Sequence, residues 1–175
     1  MKSPKDIVAS HQQTHRASCV PWAIEVVILT FEKVLRESLQ AKFPLWCGFG
    51  DFREILRNEY QIEFDDPRFS ENFDRFKRES MAVLSEGKFP IVMLPSGACW
   101  SRDRLRIVPT LHAYAVYEEA GALHFATRGL GDFEASFYSE KEFAEMHHNW
   151  RLHFERVGWA YDCALHALFP RLARE

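Results

Sequence analysis

Along residues 21–40 apolar side chains recur at offsets of three and four, at Ile24, Val27, Ile28, Phe31, Val34, Leu35 and Leu39, which is the stripe of an amphipathic helix. Pro21 suits its first turn, where a missing N–H costs nothing. The stripe stops at 43–50, where Pro44, Gly48 and Gly50 signal a loop. Asp51 caps a second helix over 51–60, with Phe52, Ile55, Leu56 and Tyr60 on one side, and Asp65-Asp66-Pro67 breaks the pattern after it. A third helical run begins near Ser70, takes Phe73, Phe76, Met81, Val83 and Leu84 as apolar positions, and stops at Gly87.

The pattern changes character at 89–94, a short apolar run bounded by Pro90, Pro95 and Gly97 that fits a buried strand. Residues 101–106 read as an exposed loop with Arg102, Arg104 and Arg106 on a solvated face. Runs at 111–117 and 122–127, joined by Glu118-Glu119-Ala120-Gly121, predict a β-hairpin. A further strand follows at 133–138, and Ser139-Glu140-Lys141-Glu142 has the form of a capping box opening a helix to about His147. Residues 152–157 read as an edge strand, and 161–172 as a terminal helix with Ala164, Leu165, Leu168 and Leu172 at helical spacing. Helices first and an antiparallel sheet later give an α+β class in a single domain over 1–175, with 1–9 expected as a flexible N-terminal segment.

Composition narrows the function classes. A chain of 175 residues buries a core without disulfide or metal support. Its 47% hydrophobic and 27% charged content, with a net charge of −3, disfavours polyanion binding, so no nucleic-acid partner is expected. The charged N-terminus has no apolar region behind it, so no secretory signal is expected, and no apolar run approaches the ~20 residues of a membrane span. Four cysteines, at 19, 47, 99 and 163, form no CxxC pair, which argues against a zinc ribbon or a dithiol redox centre and for reduced thiols in the cytoplasm. Neither cofactor nor metal is expected. The 15 Phe, 5 Trp and 5 Tyr are spread along the chain and read mostly as core.

The candidate chemistry starts at Cys19, just before the first helical stripe. A helix N-terminus stabilises a thiolate through its unsatisfied N–H groups. Gln13, six residues earlier, offers a carboxamide that would donate to a developing oxyanion together with the Cys19 N–H. Other arrangements compete. His11, His15 and Cys19 are spaced by four and would share one face of an early-starting helix as metal ligands, although Pro21 opposes such a continuous helix. His147, His148 and His153 read as surface residues, and Glu25 as a solvent-facing position, with a buried acid as the alternative. Cys47, Cys99 and Cys163 read as structural, with Cys99 and Trp100 on a loop where Trp100, Arg102 and Arg104 would line an approach to the site.

Taken together, these segments resemble the papain-like cysteine peptidases, most closely the compact bacterial C39-like peptidase domains. The resemblance rests on Gln13 six residues before Cys19, Cys19 heading the long helix, Gly87-Lys88-Phe89-Pro90-Ile91-Val92 entering the sheet, His112-Ala113-Tyr114-Ala115-Val116 opening the hairpin, and Phe137-Tyr138-Ser139-Glu140-Lys141-Glu142-Phe143 as the closing short helix. It covers roughly residues 10–150 and implies a C39-like fold in which Cys19 is the nucleophile, His112 the base and then the acid, and Gln13 the oxyanion donor. The family's orienting Asn or Asp falls near Ala126-Thr127-Arg128, where this chain has none. Asp132 is the nearest carboxylate, and the Thr127 hydroxyl is the substitute in place. Val20 also stands where papain-like enzymes commonly have Gly, whereas Pro21 and Ala23 suit the C39-like pattern. The resemblance implies a cysteine peptidase or thiol acyl hydrolase or transferase acting on peptides or proteins through a thioester, or a degenerate fold of the same kind that binds a peptide.

Overall fold

The computed structural model describes residues 3–14, 18–43, 49–64, 68–70, 72–85, 91–101, 106–128, 135–156 and 165–173, with the backbone alone for 49, 68–70, 85, 91–101, 106–112, 128, 150, 153–155 and 166. Helices are α1 (Pro4–Ser10), α2 (Cys19–Thr30), α3 (Leu39–Lys42), α4 (Arg53–Tyr60), α5 (Phe73–Ser85) and α6 (Glu140–Arg156). Strands are β1 (Ile62–Glu63), β2 (Arg68–Ser70), β3 (Ile91–Ser101), β4 (Arg106–Glu119), β5 (Ala122–Arg128), β6 (Ala135–Ser139), β7 (Leu165–Leu168) and β8 (Arg171–Leu172). Six of the strands form one antiparallel sheet in the order β2-β7-β3-β4-β5-β6, and β1 pairs with β8 apart from it. The α+β class holds. No helix among the described residues is long and apolar enough to cross a membrane.

Residues 113–117 of β4 are buried without interruption because helices cover both faces of the sheet. On one face Ala113, Ala115 and Tyr117 join Ala126 of β5 against Trp22, Ala23 and Val27 of α2 and Ile7 and Val8 of α1. The three alanines keep that face low, so α2 lies close to the sheet. On the other face Tyr114, Val116, Leu123 and Phe125 pack with Phe76 of α5 and Phe143 of α6. Phe125 and Phe143 stack with centroids 3.7 Å apart, and Phe73 tilts against both. Aromatics do form core, as their distribution predicts.

The N-terminal stretch is where local patterning and structure part most clearly. Within 1–9, expected to be flexible, α1 forms and buries Ile7 and Val8. The helix predicted over 21–40 ends at Thr30. Glu32 takes a left-handed backbone at φ 60° while its N–H bonds Leu29 O and the Lys33 N–H bonds Ile28 O, a Schellman stop built without glycine. Val34, expected in the buried stripe, is therefore 82% exposed. Before that stop, α2 is buried on every side rather than along one stripe, since α1, α3 and β4 all pack on it.

The second half differs in lengths and in one element type. β3 runs through Pro95 by a register shift between Pro95 and Gly97 and continues to Ser101, so Cys99 and Trp100 pair with Val108 and Ile107 rather than sitting on a loop. The hairpin closes by the two residues Ala120 and Gly121, at φ 54° and 81°, the geometry of a type I′ turn. α6 continues to Arg156 through the expected edge strand at 152–157. Of the expected helix over 161–172, residues 161–164 lie outside the described residues and the rest holds β7 and β8: Leu165 and Ala167 face one core while Leu168 faces the other, and Pro170 forbids helix continuation. The break at 65–67, the stop at Gly87, the residues 44–48 that include Cys47, Arg102, Arg104 and Cys163 lie outside the described residues.

Candidate active site

Cys19 is the first residue of α2, a free thiol that is 4% exposed. The preceding residue, Ser18, occupies the N-cap without a side-chain cap bond, and its hydroxyl donates to Gln40 Oε1 at 2.9 Å. Burial pushes the Cys19 thiol above its ordinary range, and the backbone N–H groups of Ala113, Val20 and Cys19 itself work against that rise by favouring the thiolate. The Ala113 contact matters most for the site. That N–H belongs to the peptide joining His112 to Ala113, and Cys19 and Ala113 pack in one core, so the backbone of His112 lies next to a residue packed with the start of α2. In register, His112 pairs with Leu94 of β3. The imidazole itself lies outside the described part of the structure, as do Asp132 and His15.

Thr127, the hydroxyl at the expected orienter position, is buried and donates to Ala113 O at 2.8 Å. Its proton is thus spent on bracing β4 beside His112. Tyr114, on the opposite side of the strand from Ala113, has its hydroxyl pKa pushed up by burial first, then by Tyr138 and Cys19.

Gln13 is 3% exposed, in the segment between α1 and α2. That segment is held by a polar network around Glu25, which is 1% exposed rather than solvent-facing. Glu25 Oε1 accepts from the backbone N–H groups of Leu39 at 2.7 Å and Gln40 at 3.2 Å, and Oε2 accepts from Gln40 Nε2 at 2.6 Å. His11 Nε2 lies 2.7 Å from the same Oε2. Burial alone raises the Glu25 pKa, but the hydrogen bonds from His11 and Gln40 outweigh it and hold the carboxyl below its ordinary range.

No local pattern marks Gln40, yet its carboxamide reaches both sides of Gln13. Its Nε2 donates to Gln12 O at 3.0 Å, and its Oε1 accepts from the Thr14 N–H at 2.8 Å. The only trace in sequence was indirect: one acid, Glu25, inside an otherwise apolar helix needs buried donors somewhere.

The helical metal arrangement fails. α1 stops at Ser10 and α2 starts at Cys19, so His11 and Cys19 share no helix face, and no metal-binding group of three or more His, Cys, Asp or Glu occurs among the described residues. His147 is buried at 3% exposure, against the surface reading, while His148 is exposed and the His153 side chain lies outside the described residues. Comparison with known families, curated proteins and solved structures finds no match.

Proposed function

We propose that this chain is a papain-like, C39-like thiol acyl hydrolase or transferase acting on peptides or proteins, with Cys19 as nucleophile, His112 as base and Gln13 as oxyanion donor. The observation that supports the reading is the packing of Cys19, the first residue of α2, in one core with Ala113 of β4, the residue that follows His112. In this mechanism His112 takes the thiol proton and the thiolate attacks an acyl carbonyl. The tetrahedral oxyanion is met by the Gln13 carboxamide and the Cys19 N–H, a kind of donor worth about 3 kcal/mol of transition-state stabilisation each. His112 then protonates the leaving group, and water or a second nucleophile cleaves the thioester. Thr127 supports His112 through the β4 backbone, and Asp132 is the candidate to orient its ring.

A second reading, a degenerate fold that binds a peptide, is favoured by one observation: Cys19 is nearly inaccessible and burial pushes its pKa up. The pH profile of iodoacetamide alkylation at Cys19 separates the two. A catalytic pair gives alkylation already at pH ~6, and His112→Ala moves the inflection above the ordinary thiol range, because burial is then opposed only by backbone amides. If the wild type alkylates only at alkaline pH and ignores His112→Ala, the chain is a binding module.

A further inference from the structure

We infer that Gln40 is the positioning residue of the oxyanion site, a single carboxamide that fixes Gln13 from both sides and ties it to the start of α2. This rests on the thiol-enzyme reading above. The hydrogen-bonding capacity of the Gln40 side chain is fully used. One Nε2 hydrogen goes to Gln12 O at 3.0 Å and the other to Glu25 Oε2 at 2.6 Å. Its Oε1 accepts from the Thr14 N–H at 2.8 Å and from Ser18 Oγ at 2.9 Å, with Thr14 Oγ1 at 3.3 Å. Acceptors face the nitrogen and donors face the oxygen, so the amide has one sensible orientation.

The contacts fall on the backbone of residues 12 and 14, flanking Gln13, and on the side chain of residue 18, just before Cys19. The segment between the oxyanion donor and the nucleophile is therefore pinched at both ends onto one oxygen. Gln40 is itself immobilised: it is 1% exposed, its own backbone N–H bonds Glu25 Oε1, and Glu25 belongs to α2, the helix that carries Cys19. The Glu25–Gln40 pair thus refers the position of Gln13 to the helix of the nucleophile. A misplacement of the order of 1 Å in such a donor is enough to cost about 100-fold in rate, so a rigid reference has catalytic value.

The test compares two reagents at Cys19, with Cys19→Ala as the blank. With p-nitrophenyl acetate, Sγ bonds the acetyl carbon, the ester C–O bond breaks, p-nitrophenolate leaves with its electron pair and the thiol proton passes to His112; water later releases acetate. That reaction develops an oxyanion, whereas alkylation by iodoacetamide does not. Gln40→Met keeps the side-chain length and removes the clamp. It is expected to slow acetylation about 10- to 100-fold, to leave alkylation unchanged, and to add nothing when combined with Gln13→Ala. Hydrogen exchange at the Thr14 amide, which bonds Gln40 directly, is expected to speed up in parallel.

Unchanged Thr14 exchange, unchanged acetylation, or losses that multiply with those of Gln13→Ala each overturn the inference. A wild type that resists acetylation altogether overturns the thiol-enzyme reading and the positioning role with it, while faster Thr14 exchange in Gln40→Met still registers the clamp. Should Gln40→Met not fold, Gln40→Asn keeps the carboxamide but withdraws it from Gln12 and Thr14, and the same outcomes apply.

Discussion

Glu25 shows how one residue sets the course of the chain around it. A lone carboxylate in an apolar helix is costly to bury unless it is saturated with donors. Here those donors are the N–H groups of Leu39 and Gln40, the Gln40 side chain and His11, so the chain after α2 must fold back over Glu25. Because its folded pKa is depressed, Glu25 contributes stability that is complete above its unfolded value and is lost as pH falls through the folded one. Glu25→Gln is therefore expected to cost about 2–4 kcal/mol at pH 7. The gap to the wild type should narrow below pH ~4, as measured by melting temperature from pH 7 to 3. A constant gap across that range would falsify the charged role.

At the scale of elements, legibility tracked how local the decisive contacts are. The start of α6 was readable because its capping box is closed within four residues: Ser139 N–H and Oγ both donate to Glu142 Oε2 at 2.7 Å, and the Glu142 N–H donates to Ser139 Oγ at 3.3 Å. Those bonds hold the Glu142 carboxyl below its ordinary range. Ser139→Ala should lower stability by about 1 kcal/mol in urea titrations without altering alkylation at Cys19. The hairpin was equally legible, since Ala120 and Gly121 sit between two strand-like runs. The end of α2 was not. No proline or glycine marks it, and the left-handed turn at Glu32 is imposed by the return of the chain to Glu25. β7 reads as helix in the sequence because Leu165, Leu168 and Leu172 fall at helical spacing, while a short strand buried on both faces shows no alternation to oppose that pattern.

In the whole molecule the sheet separates two cores, and its small-residue face sets how near α2 approaches β4. Ala115→Leu inserts volume into that contact and should cost about 1–3 kcal/mol or more. Because it also pushes the start of α2 away from Ala113, it should speed iodoacetamide alkylation of Cys19. Phe143→Leu, on the far face, is expected to lower stability as well but to leave the alkylation rate alone. Comparable alkylation in the two variants would show that the Cys19 contact with β4 does not depend on this spacing.

The sequence by itself determined the α+β order, the hairpin, the capped helix and a cysteine at a helix start with a glutamine six residues before it. Each of these depends on interactions between near neighbours or on burial of one face, which leave a period or a signature. Tertiary structure alone decided the reversal after Thr30, the insertion of β7 between β2 and β3, the burial of Glu25 and His147, and the use of Gln40 to hold Gln12, Thr14 and Ser18. Gln40 lies 22 to 28 residues from those partners, and a hydrogen bond across such a separation imposes no pattern on the residues between.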